Sequence, residues 1–223
     1  MNTEGLRQQL ENPLQFVNGN VLDADKCRQL AETLMKRFWI KKGDRHYWIK
    51  DIEFYIYCDS HRDIITYPRN CEAGCWFLHD SGVDIAFRSR TDYAKHPRSK
   101  RWKPRLTKNS VFGGILIREI ERVEKLELPD GAVESFKGPW LSRNELFYSM
   151  DAFQPDPLSP QLEPSAYKKP GEVKVLEKRE GFPDNAAKKI STIKYNYSIV
   201  EIPDEELIAA YDEYRLKPYH FSI

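Results

Sequence analysis

WIKDIEFYIYCDSHRDIITYPRNCEAGCWFLHDSGVDIAF, residues 48–87, is the stretch from which the rest of the chain can be read. It opens with a run rich in β-branched and aromatic residues (Ile49, Ile52, Phe54, Tyr55, Ile56, Tyr57), the composition of a strand. The run alternates too poorly to be a strand with one simple solvent face. A single carboxylate, Glu53, sits inside it. Such a group is either ion-paired, for instance with Lys50, or functional, because burial disfavours a carboxylate's charged form and is one way proteins make a base that works near neutrality. His61, Arg62, Asp63, Arg69 and Asn70 follow closely and add site-forming chemistry.

Upstream, Asp23 or Asp25 can cap a helix over 24–37, where Cys27, Leu30, Ala31, Leu34 and Met35 recur at helical spacing. Strands over 38–41 and 47–57 flank Lys42-Gly43-Asp44 and read as a hairpin carrying Glu53 on its second arm. Downstream, Tyr67-Pro68-Arg69-Asn70 interrupts regular structure, since proline restricts its predecessor. A second strand pair is expected over 74–79 and 83–87, turning at Asp80-Ser81-Gly82.

Between residues 88 and 108 the composition changes. Arg88, Arg90, Lys95, Arg98, Lys100, Arg101, Lys103, Arg105 and Lys108 face a single acid, Asp92, with Tyr93, Trp102 and two prolines interleaved. This segment reads either as a basic loop for a phosphate backbone, with rings able to stack on bases, or as a solvated surface loop. Beyond it, Ile115, Leu116 and Ile117 form a buried central strand expected to end at Arg118. Pro129-Asp130-Gly131 marks a turn, and Gly138-Pro139-Trp140 opens a short helix to Leu146. Residues 155–170 hold five prolines and read as an irregular surface excursion. Strands at 173–175 and 193–202 precede a helix at 204–216 whose first turn is acidic.

The whole chain of 223 residues carries 35 basic and 34 acidic side chains, so any polyanion surface must be local. Four cysteines are too few and too irregularly placed for a secreted disulfide scaffold, and Cys71, Cys75, His61 and His79 match no closed zinc pattern. Buried thiols are expected. Neither a signal peptide nor a long apolar span is visible, which points to the cytoplasm.

The order of several pieces resembles the DNA-3-methyladenine glycosylases of the alkyladenine (methylpurine) type. These pieces are Glu53-Phe54-Tyr55, then Asp59 and His61, Tyr67-Pro68-Arg69-Asn70, Trp76-Phe77-Leu78, Ser81-Gly82-Val83, Leu116-Ile117-Arg118-Glu119 and Gly138-Pro139-Trp140. The resemblance covers about half the chain. It implies an α+β fold over one domain, residues 1–223, with a mixed, largely antiparallel sheet forming a glycosylase or formyltransferase-C-terminal-like barrel and flanking helices. By the same resemblance Glu53 would be the base that activates water, and Arg118 the strand arginine beside the reacting nucleotide. Tyr55 and His61 would wall the base pocket, and Arg69 would stand on the family's Thr-Pro-Arg-Asn element. Ser81 and Asp84 occupy the positions of the family's pocket and wedge tyrosines.

The implied activity is hydrolysis of the N-glycosidic bond of a flipped, alkylated or damaged purine in base excision repair. It needs no metal or cofactor. The partner would be damaged duplex DNA, gripped by Arg88, Arg90, Arg98, Lys100, Arg101, Lys103 and Arg105, and the protein would act as a monomer. The alternative is a catalytically inactive glycosylase-like module that binds nucleic acid or a nucleotide. Whether Glu53 faces a pocket or a cation separates the two.

Overall fold

The computed structural model describes residues 2–96, 99–123, 132–148, 158–176, 199–200, 205, 209 and 220–223. The chain begins with α1 (Thr3–Leu10), a 3-10 turn at Pro13–Phe16, and the short strands β1 (Val17–Asn18) and β2 (Val21–Leu22). Next come α2 (Ala24–Arg37), β3 (Phe38–Lys42), β4 (Arg45–Tyr57), β5 (Trp76–His79) and β6 (Gly82–Ala86). The basic segment holds β7 (Asp92–Lys95) and β8 (Trp102–Leu106), followed by β9 (Phe112–Val123), β10 (Ala132–Lys137) and α3 (Pro139–Phe147). The remaining strands are β11 (Gln161–Pro164), β12 (Lys174–Leu176), β13 (Ile199–Val200) and β14 (His220–Ser222).

Capping fixes where α2 starts. The Asp23 carboxylate accepts the Lys26 amide at 3.1 Å, which satisfies a donor that the helix itself leaves open. The helix then buries Cys27, Leu30, Ala31, Leu34 and Met35, the set its spacing predicts. Gly43 turns the β3–β4 hairpin with φ of 57°, in the left-handed region that a side chain disfavours.

Two long antiparallel strands, β4 and β9, form the spine of a nine-stranded sheet. The outer edge of β4 is taken first by β3 and then by β14; the outer edge of β9 by β6 and then by β10. All pairs in this sheet are antiparallel. Its described strands do not close into a barrel, because β5 and β11 stand at open ends. The expected barrel is therefore replaced by an open sheet with helices.

The poor alternation in β4 has a structural cause. Tyr47 and Ile49, then Ile52, Phe54 and Ile56, all enter the core, so the buried phase slips by one residue between 49 and 52. The register slips at the same place: Ile49 opposes Ile120, Asp51 opposes Glu119, and Ile52 opposes Ile117. Lys50 on β4 and Arg118 on β9 are each left without an opposite residue. Paired bulges of this kind re-aim side chains and keep the apolar face continuous. On that face the strands and α2 share one buried apolar cluster, which Leu146 of α3 joins.

Other expectations change with the structure. Arg118 is mid-strand, since β9 runs on to Val123. The basic segment is a hairpin, with Asp92 opposite Arg105 and Lys95 opposite Trp102. The proline-rich excursion contributes β11 to the sheet edge beside β3, where a proline's missing donor costs no ladder bond. Cys27 and Cys58 are buried, but the expectation of buried thiols fails at Cys71, which is half-buried, and at Cys75, which is exposed. The expected turn at 129–131, most of the strand at 193–202 and nearly all of the helix at 204–216 lie outside the described residues.

Candidate functional site

Beyond the bulge, Asp51, Glu53 and Tyr55 point to the sheet face opposite the core, as alternate residues of one strand do. A cross-strand row continues this face from Glu53 through Leu116 to Asp84 and Phe77. Two polar clusters form along it, one on each side of Leu116.

The first cluster centres on Glu53, which is wholly buried. Its Oε2 accepts the Tyr55 hydroxyl at 2.7 Å and Arg118 Nη1 at 3.1 Å. Arg118 Nε also lies 3.8 Å from Asp51 Oδ1, and His220 Nε2 contacts that same oxygen. The bulge carries Arg118 into this position, and β14 sets His220 opposite Glu53.

The second cluster centres on Asp84. Arg69 Nη1 donates to Oδ2 at 2.6 Å, and His79 Nε2 shares a hydrogen bond with Oδ1 at 3.0 Å. Burial alone would push the Asp84 carboxyl up, but the Arg69 guanidinium and the His79 ring outweigh it and hold the group below its ordinary value. Phe77 lies under the guanidinium, 3.8 Å from ring centre to Cζ, and the Tyr67 ring packs on His79 at 4.8 Å. Gly114 makes the seat. A Cβ there would come within 2.8 Å of Asp84 Cβ and 2.9 Å of Arg69 Nη1.

The structure thus brings together Glu53, Tyr55 and Arg118, and separately Arg69 and Asp84. His61 goes elsewhere: it is buried, and its Nδ1 shares a hydrogen bond with the Asn20 carbonyl at 3.0 Å. Ser81 is exposed at the β5–β6 turn, 3.4 Å from the Tyr67 hydroxyl. Arg88 pairs with Glu11 and Glu72, so its charge is directed at acids of this chain. Arg90, Lys100 and Arg101 are exposed, Lys103 and Arg105 are half-buried, and Arg98 lies outside the described residues.

Sequence reasoning missed Asp51 and His220 altogether and did not join His79 to Asp84. Asp51 had a usable signal, because a residue two before Glu53 shares its strand face. His220 had none, being 169 positions from its partner.

Two cavities on the described surface have defined linings. One of about 660 Å³ is lined by Glu11, Asn12, Asn70, Arg88, Thr91, Asn109 and their neighbours, and one of about 390 Å³ by Leu78, Arg143, Asn144, Phe147 and Tyr148. Neither is lined by Glu53. Among the described residues no group of three His, Cys, Asp or Glu side chains is arranged to hold a metal ion. No helix among them is long and apolar enough to cross a membrane.

An uncharacterized protein, L759, of Acanthamoeba polyphaga mimivirus is 24% identical to this chain over 123 residues, 49% of the chain and 54% of that protein. The chain therefore spans about half the length of this relative. No family model and no solved structure matches it.

Proposed function

We propose that this chain hydrolyses the N-glycosidic bond of a flipped, damaged purine nucleotide, with Glu53 as the base for water and Arg118 as the cation beside the reacting sugar. The observation that supports this reading is the meeting of Glu53, Tyr55 and Arg118, since the two ion-pair partners lie 65 positions apart. In such a centre the carboxylate aligns and deprotonates water as positive charge builds on the sugar. Arg118 holds that carboxylate in one orientation, and the Tyr55 ring offers a surface for the extruded base.

A second reading is favoured by a different observation. Glu53 is fully buried, and what it faces is a cation, Arg118, together with the Tyr55 hydroxyl. On that reading the chain binds nucleic acid without cutting it, and the Glu53 cluster is a structural ion network.

A single-turnover excision assay separates the two. The substrate is a duplex carrying one 1,N6-ethenoadenine or hypoxanthine, with methylated DNA as a control. The wild type is expected to release free base. Glu53→Gln, checked for its fold by circular dichroism, is expected to be slower by roughly 10²–10⁴-fold. Absence of release from every substrate by the wild type would leave the binding reading alone. Equal rates in the two proteins would remove Glu53 from the role of base.

A further inference from the structure

We propose that one face of the β7–β8 hairpin binds single-stranded nucleic acid by stacking bases on Tyr93 and Trp102. The ladder sorts the side chains of this hairpin. Tyr93 opposes Pro104 and Lys95 opposes Trp102, so these four share one face. Asp92, Arg105, Ala94 and Lys103 take the other face, which removes the segment's lone acid from the aromatic side.

Trp102 is 66% exposed and Tyr93 45% exposed, although β13 joins the far edge of β8 to make a three-stranded sheet. Exposed rings side by side mark an interaction surface. Charge then identifies the partner. Lys95 Nζ lies 5.8 Å from the centre of the Trp102 ring, and Lys100 and Arg101 are exposed in the connecting turn just before Trp102. None of these three cations forms an ion pair with a carboxylate among the described residues. Flat rings flanked by open cations fit a strand whose bases and phosphates are both accessible.

The same geometry argues against a duplex as the preferred ligand, because paired bases are stacked on each other and offer a ring no face along the helix. Tyr93 and Trp102 are diagonal neighbours on antiparallel strands, about 7–8 Å apart. That spacing lets each ring take its own base. The surface needs no chemistry at Glu53, so it serves either reading of the central site.

The test is fluorescence anisotropy with labelled twelve-nucleotide oligo(dT) and oligo(rU), and a blunt duplex of equal length, across a series of salt concentrations. One or both single strands should bind at least tenfold more tightly than the duplex, with affinity falling as salt rises. Trp102→Ala and Tyr93→Ala should each weaken single-strand binding by roughly 5- to 100-fold, while Trp102→Phe keeps a ring and recovers much of the loss. Both residues are surface-exposed, and unchanged melting curves would show that the variants remain folded. The proposal is overturned if the alanine variants bind as tightly as wild type or if the duplex binds as well as the single strands. It is equally overturned if polyglutamate of matched charge displaces oligo(dT) as effectively as unlabelled oligo(dT) does, since charge alone would then explain binding. The assay reads binding only, so its outcome stands apart from whether purines are excised.

Discussion

Asp84 and Arg69 form a buried pair whose side chains are 3% and 1% exposed. Two charges taken out of water are tolerable only together; removal of one strands the other at a cost of about 3–5 kcal/mol. Asp84→Asn is therefore expected to lower stability at neutral pH by that order. The carboxyl's native value lies below its ordinary 3.8, so the folded state binds its proton less readily than the unfolded chain does. Its contribution is complete above the ordinary value and is lost as pH falls below it toward the native one. Urea melts at pH 7 and pH 3 should show a larger acid loss for wild type than for Asp84→Asn; equal losses would assign the acid sensitivity to other groups. The sequence named both members of this pair, Arg69 from its place beside a proline break and Asp84 from the resemblance, but not their contact. Side chains fifteen positions apart meet here because β6 and the preceding loop share a sheet face, which no local spacing records.

At the level of elements, two adjacent glycines of β9 behave differently, one set against β4 and the other under the Asp84–Arg69 pair. A Cβ on Gly113 would lie 2.2 Å from the Tyr55 carbonyl oxygen and 3.0 Å from Ile56 Cα, so it meets backbone that cannot yield. A Cβ on Gly114 meets chiefly the Asp84 and Arg69 side chains. Gly113→Ala should therefore cost the upper end of about 1–3 kcal/mol and Gly114→Ala less, although only the latter disturbs the Asp84 cluster directly. Denaturant midpoints for the two variants check the order, and a larger loss at Gly114 would contradict it. The periodicity of α2, the Gly43 turn and the apolar run at 115–117 were all legible because each is a local signal. The basic segment was not read as a hairpin, because its rings and prolines looked like interruptions of a loop. In fact Tyr93, Trp102 and Pro104 lie on one face of it. β10 and β11 escaped because edge strands need little apolar content of their own when the neighbouring strand supplies the buried surface.

Across the whole molecule, the sheet is assembled from strands far apart in sequence, and β14 is the extreme case. It pairs Phe221 with Ile52 on one side and with Val175 on the other, beside the Glu53 cluster. Its hold is the Phe221 side chain, which is wholly buried and meets Phe54 edge-on at 5.6 Å. Phe221→Ala should cost about 3–5 kcal/mol if the whole fold depends on this contact. If β14 instead docks on a core that stands without it, opening is local and free energies differ along β4. The geometry argues for the local case, because β3 covers residues 45–48 of β4 independently of β14, which covers only 51–53. Hydrogen exchange of Phe221→Ala is then expected to accelerate on β14 and around Asp51–Glu53 while protection persists over residues 45–48. Uniform loss of protection along β4 would make β14 part of the cooperative core. It would also mean that the Glu53 centre forms only as the whole sheet does.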